Sequence, residues 1–211
     1  MDTLDRSDLD GVVMRFLFLL GSSRSGGNTE LLARRAAASL PAGTEQRWLH
    51  LADHPLTPFR DIRHDEQGFP QPTGNEALLL AETLAATDLV IASPLYWYSV
   101  SATTKLYLDH WSGWLRVPGV DFRQRMRGRR MWAISVLSNE DEAQADPLVA
   151  TLRLSADYLD MRWGGVLLGH ANRPGEVLHD TVALRAADAF FAPAPWEPGA
   201  RDGRVAEPAS R

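Results

Sequence analysis

The sequence predicts an α/β chain: a doubly wound, three-layer sandwich on a five-stranded parallel sheet of order 2-1-3-4-5. Three observations predict it. Short apolar segments alternate with segments of helical periodicity five times along the chain. Several of the apolar segments are hydrophobic on both faces, as strands covered by helices on either side must be. The two least ordinary loops, Gly21 to Thr29 and Pro94 to Ser99, follow the first and third of these segments. In this strand order those loops flank the point where the sheet reverses direction, which is where such sheets bind ligands.

Each element has its own signal. Val12 to Leu20 is β-branched, aromatic and apolar on both faces, a central strand. Thr29 to Leu40 places Leu32, Ala36 and Leu40 at fourfold spacing, and Pro41 and Gly43 stop that helix. QRWLHL, Gln46 to Leu51, alternates as a second strand, and the Pro- and Gly-dotted stretch from Pro55 to Gly74 is a long loop. Asn75 is expected to cap a helix running through Ala86. DLVIAS, Asp88 to Ser93, is the third strand; after the loop, Val100, Thr104, Leu108, Trp111 and Leu115 share one face of a third helix. RMWAISVL (Arg130 to Leu137), Pro147 to Leu159, Trp163 to Gly169 and Asp180 to Phe191 complete the series as strand, helix, strand and helix. Right-handed crossovers then cover both faces of the sheet. Residues 1–191 are expected to form a single domain, and 192–211, where periodicity gives way to prolines, glycines and charges, a disordered tail or an interface arm.

Composition narrows the function. A net charge of −5 over 211 residues argues against nucleic acid or an anionic membrane as partner and favours a small ligand. With no cysteine, there are no disulfides, thiolate metal sites, cysteine-ligated clusters or cysteine nucleophiles, so redox chemistry would need a bound cofactor. The longest apolar run is interrupted by Arg15 and too short to span a bilayer, and Asp2, Asp5 and Asp8 stand where a signal peptide is basic. The expected location is the cytoplasm.

The first loop reads GSSRSGGNTE. A helix starting near Thr29 offers unpaired N–H groups and the positive end of its dipole. Gly26 and Gly27 allow close backbone approach, Ser22, Ser25, Asn28 and Thr29 add neutral donors, and Arg24 adds charge. The nucleoside-triphosphate loop needs Lys where Gly27 stands, and GxGxxG and GxSxG both fail after Gly21. A terminal monophosphate fits what remains; an ordinary capped strand-to-helix connection is the plainer alternative. In the second loop, PLYWYS, the successive rings of Tyr96, Trp97 and Tyr98 cannot all face the core, and at least one is left for a flat heteroaromatic ligand. The plainer alternative here is sealing of a core edge or a subunit interface. Flavin mononucleotide satisfies both loops together.

GSSRSGGNTELLARRAA and SPLYWYSVSATTKLYLDHW resemble the phosphate loop and the flavin-ring loop of the NAD(P)H-dependent FMN reductases, a flavodoxin-like group that includes quinone and azo reductases. The likeness runs from about Met14 to Phe191 and takes in GHANRPGEV, Gly169 to Val177. It implies that Ser22, Arg24, Gly27, Asn28 and Thr29 hold the FMN phosphate. It implies that Pro94, Leu95, Tyr96, Trp97, Tyr98 and Ser99 line the isoalloxazine, with NAD(P)H as co-substrate, a small-molecule electron acceptor, and chemistry carried by the flavin. It also implies a symmetric homodimer with flavin sites near the interface. Trp111, Trp114 and Leu115, the Pro55 to Gly74 loop and Trp196 are the expected contributors. Three departures stand out, one being that the tail after Ala192 matches nothing in the family. No cysteine follows strand two, where cluster-bearing relatives have them, and SNEDEAQAD, Ser138 to Asp146, replaces a glycine-rich loop with Glu140, Asp141, Glu142 and Asp146, which would repel a pyrophosphate if they face the site.

Lesser signals weigh less. HLADH, His50 to His54, does not put both rings on one helical face, so no metal is expected. The five arginines of RQRMRGRR, Arg123 to Arg130, suit an NADPH phosphate or an acidic partner, but a solvated loop face is the readier reading. Lys105, the only lysine, sits early in a helix, where a cation opposes the dipole, and is put down to chance. The reading favoured is a two-electron FMN-dependent reductase of quinone, azo, nitro or free-flavin acceptors. A one-electron flavodoxin-like carrier and a flavin-free interaction domain are the competing readings.

Overall fold

The computed structural model describes residues 14–192. Its elements in chain order are β1 (Arg15–Leu20), α1 (Asn28–Ala37), β2 (Glu45–His50), α2 (Gly74–Ala85), β3 (Asp88–Ala92), α3 (Ala102–Trp114), α4 (Phe122–Met126), β4 (Arg130–Leu137), α5 (Asp146–Tyr158), β5 (Arg162–His170) and α6 (Thr181–Ala187). All adjacent strands are parallel, in the order β2-β1-β3-β4-β5 that the sequence predicts.

Strand alternation divides the core into two layers. Phe16, Phe18 and Leu20 of β1 point to one face with Val90, Ala92, Trp132 and Ile134, against Leu32, Ala33 and Ala36 of α1 and Ala183 and Ala187 of α6. Leu17 and Leu19 point to the other, with Leu89, Ile91, Met131 and Ala133, against α2, α3, α4 and α5. Each fully buried Leu or Phe contributes roughly 1.5–3 kcal/mol, so β1, buried from Phe16 to Leu20, is the sheet's anchor. Trp48 of β2 stacks on Phe18 at 3.9 Å and 4° and shields that edge.

The structure corrects several expectations. Asn75 does not cap α2: the cap position is Thr73, and Asn75 Nδ2 donates to Pro55 O at 3.0 Å, holding the long loop instead. The arginine run is not all loop, because Phe122 and Met126 bury themselves and wind α4 between them. The last helix ends at Ala187, short of Phe191. Trp111 and Trp114, expected at a subunit boundary, are buried in the chain's own core. Both pack edge-on against Phe122, and Trp114 Nε1 donates to Glu76 Oε1 at 3.0 Å. Leu115 packs against the same cluster. The long loop also folds back on α3: Phe69 lies where a Cβ at Gly113 would come within 3.0 Å, and His110 Nε2 meets Thr57 O at 2.9 Å. The tail beyond Ala192, Trp196 included, and the first residues of the predicted strand, Val12 and Val13, lie outside the described residues.

Candidate functional site

The first loop is shaped by hydrogen bonds within itself and to the neighbouring elements. Gly21 N–H donates to Ala92 O at 2.8 Å, and Thr103 Oγ1 donates to Gly21 O at 3.1 Å, so β1, β3 and α3 meet at this residue. A Cβ on Gly21 would stand 2.0 Å from Thr104 Oγ1 and 2.8 Å from Ser101 Oγ; only glycine fits. The buried Ser22 hydroxyl accepts from Arg24 N–H at 3.0 Å and turns the chain. Gly26 takes φ +65°, and its N–H donates to Glu30 Oε2 at 2.7 Å. Glu30 Oε1 accepts from Arg34 at 2.7 and 2.9 Å. Burial would raise the Glu30 pKa, but the Gly26 bond and the Arg34 cation outweigh it and hold the carboxyl below its ordinary value. At the first turn of α1 the N–H groups of Asn28, Thr29 and Glu30 have no intrahelical acceptor.

The second loop is a tight hairpin. Ser93 Oγ accepts from Ser101 N–H at 2.9 Å and closes its base, while Tyr96 and Ser99 exchange two backbone bonds of 3.0 Å. The two residues between them, Trp97 and Tyr98, have φ of 49° and 63°. Turns of this kind favour Asn-Gly, and bulky residues in the left-handed region cost about 1–2 kcal/mol each. The strain is not offset by burial, since Trp97 is 94% exposed.

Between the loops lies a cleft of about 620 Å³ at the carboxyl ends of the strands. It brings together Ser22, Arg24, Gly27, Asn28 and Thr29 with Pro94, Leu95 and Tyr96. Trp97 and Tyr98 line an adjoining pocket of about 190 Å³ with Leu95, Leu137, Ser138, Asn139 and Gln144. Ser99 borders neither; its backbone closes the hairpin on Tyr96. The far wall of the cleft is Val136, Ser138, Ala171, Asn172 and Pro174, none of which the sequence marks as a site residue. Its only signal there was position, at the ends of β4 and β5, together with GHANRPGEV.

That wall is tied to the first loop. Asn28 Nδ2 donates to Arg173 O at 2.9 Å and Asn28 Oδ1 accepts from Gly175 N–H at 2.8 Å, so its amide spans the cleft's end. Glu176 Oε2 accepts from Asn172 and Arg173 N–H at 2.9 and 2.7 Å, and these bonds lower its pKa. The acidic segment does not crowd the cleft. Asp141 caps the 3-10 turn Glu142–Ala145, Asp146 starts α5 where a carboxylate suits the dipole, and Glu140 borders a separate hollow with His170 and Glu176. Among the described residues no group of three or more His, Asp or Glu can hold a metal ion. His50 Nε2 lies 3.2 Å from Arg24 O, supporting the loop. Lys105 is exposed and pairs with Asp109 at 2.5 Å.

A cleft with helix N–H groups lacking an intrahelical acceptor at one end and an aromatic loop along one side suits a phosphate joined to a flat ring. The family described as NADPH-dependent FMN reductase matches residues 14–165. The Bacillus subtilis (strain 168) protein YwqN, named as an NAD(P)H-dependent FMN-containing oxidoreductase, is 33% identical over 175 residues, covering 82% of this chain and 94% of its own. Among solved structures, the Trp repressor binding protein from Bacillus subtilis superposes with a TM-score of 0.68 at 28% identity, covering 85% of this chain and 99% of that one. An azoreductase from Bacillus anthracis str. Sterne shares the fold, with a TM-score of 0.58 at 17% identity over 83% of this chain and 97% of its own. No helix among the described residues is long and apolar enough to cross a membrane.

Proposed function

This chain belongs to the NADPH-dependent FMN reductase family, and from that premise we propose that it passes two electrons from NAD(P)H to a small quinone, azo or nitro compound or to free flavin. The enzyme is an FMN-dependent NAD(P)H oxidoreductase. The observation that carries the finer reading is the cleft itself, which joins the α1 terminus, the aromatic loop and the ends of β4 and β5 around one ligand-sized space. The donor set fits the phosphate of FMN: N–H groups without an intrahelical acceptor at a helix start, the Arg24 guanidinium, and a glycine at position 27 where a Cβ would lie 3.3 Å from Ser22 Oγ.

When bound, FMN supplies the hydride chemistry. The chain's own residues do the rest. The N–H groups of the first turn of α1 and Arg24 bind the phosphate, with Ser22 and Asn28 setting the loop's curvature and its distance from the far wall. Pro94, Leu95 and Tyr96 would hold the ring on one side of the cleft, and Ala171, Asn172 and Pro174 would close the other side to water. The pocket at Trp97 and Tyr98 receives the distal part of the acceptor. The same reading includes a cytoplasmic setting, and a homodimer supported by the three exposed rings of the hairpin beside the cleft.

The test is spectroscopic. The purified protein is expected to be yellow, to release FMN on denaturation, and to bleach with NADPH under anaerobic conditions, with colour restored by a quinone. Flavin that binds but is not reduced by either nicotinamide would assign the chain to electron carriage instead.

A further inference from the structure

We propose that the opposite end of the sheet carries an oxyanion site independent of the flavin cleft. It is a cavity of about 710 Å³ bordered by Thr87, Asp88, Arg127, Arg129, Arg130 and Arg162. Parallel pairing places Asp88, Arg130 and Arg162, at the starts of β3, β4 and β5, side by side, and the turn at Gly128 (φ +76°) brings the end of the arginine run to the same rim.

The charges at this rim do not balance. Asp88, 1% exposed, is fully used: it takes Arg130 at 2.8 Å, Trp132 Nε1 at 2.9 Å and Thr87 Oγ1 at 2.8 Å. Asp160 is shared by Arg123 and Arg127, both at 3.2 Å. Arg129 bonds only carbonyl oxygens, Arg125 O at 2.6 Å and Ala86 O. Burial and the neighbouring Arg125 pull the Arg129 pKa down. Arg162 is exposed, and its side chain bonds no other described residue. Arg129 and Arg162 thus border one cavity with no carboxylate partner among the described residues, and a half-buried cation gains most from an anion that replaces its lost water. The planar guanidinium fork selects phosphate or carboxylate.

Two sources can supply that oxyanion. One is a free phosphate compound. The other is the aspartates that precede Met14 in the sequence, Asp8 and Asp10 nearest, since Met14 lies on the rim. The experiment is titration of inorganic pyrophosphate into the full-length, FMN-saturated protein by calorimetry, so that the first loop is already filled. Uptake of FMN and turnover of NAD(P)H are measured beforehand, which separates any failure of the flavin reading. Wild type is expected to bind. Arg129→Gln and Arg162→Ala are each expected to weaken binding about tenfold, with NAD(P)H turnover unchanged. Arg162→Ala removes an exposed side chain, so folding is not at issue. Arg125→Ala, on α4 outside the cavity, is expected to change affinity by less than about twofold. Binding seen only in the Asp8→Asn/Asp10→Asn variant, with the same arginine dependence, supports the site and names the chain's own carboxylates as its occupant. No binding in either protein, or equal losses in Arg125→Ala and Arg162→Ala, overturns it.

Discussion

Single residues decide whether the cleft holds its ligand. A charge-assisted bond is worth roughly 1.5–3 kcal/mol, so Arg24→Ala is expected to weaken FMN about tenfold to a hundredfold while leaving riboflavin, which lacks the phosphate, nearly unaffected. Equal losses in fluorescence titrations of the two flavins would remove Arg24 from the phosphate site. Gly21→Ala forces a methyl into Thr104 Oγ1 and is expected to cost at least about 1–3 kcal/mol in thermal unfolding, as overpacking does. Trp97 tests the reverse balance. Because it is strained and almost wholly exposed, Trp97→Gly is expected to stabilise the fold by about 1 kcal/mol while raising KM for bulky acceptors. A variant that loses stability and keeps its acceptor range would make the ring a structural part. None of this backbone geometry was legible in PLYWYS, because a Trp-Tyr pair carries no signal for a turn that Asn-Gly ordinarily makes. The rings themselves, by contrast, announced a surface aromatic loop.

At the scale of elements, the strands were readable because β1, β3 and β4 are buried on both sides and so appear as continuous apolar runs. The short helices were not. In α4, Phe122 and Met126 supply the only apolar contacts in a run of arginines, and five residues give too little periodicity to detect. Nor does α2 use its asparagine as a cap, since the carbonyl that captures Asn75 lies 20 residues back. The start of α1 was placed to within one residue, and its pH response follows from Glu30. This carboxyl is more acidic in the folded chain than its ordinary 4.5, so it binds fewer protons folded than unfolded. Its contribution is complete above that value and is lost as pH falls through the lower, folded one. Glu30→Gln keeps an acceptor for Gly26 N–H but removes the charge. Its melting temperature is therefore expected to fall less than wild type's between about pH 5 and pH 3. Parallel acid limbs in the two melting curves would show that Glu30 does not titrate with folding.

For the whole molecule, order and layering of the sheet followed from the sequence, whereas the fate of the tryptophans did not. Trp111 and Trp114 looked surplus to one sheet because Phe122, which packs edge-on against both, belongs to a helix the sequence concealed. The homodimer reading now rests on the hairpin. Light scattering at micromolar concentration is expected to give twice 23.4 kDa, and one subunit's mass with and without FMN would refute it. The amide of Asn28 also bears on the order of assembly. Its two partners, Arg173 and Gly175, come 145 and 147 residues later, so the first loop and the wall it is clamped to are made at opposite ends of translation. A ribosome that has completed α1 through β4 has produced the loop but not Arg173 and Gly175, to which it is clamped. If the cleft holds FMN as proposed, nascent chains arrested before Ala171 are expected to bind FMN far more weakly than chains released at full length.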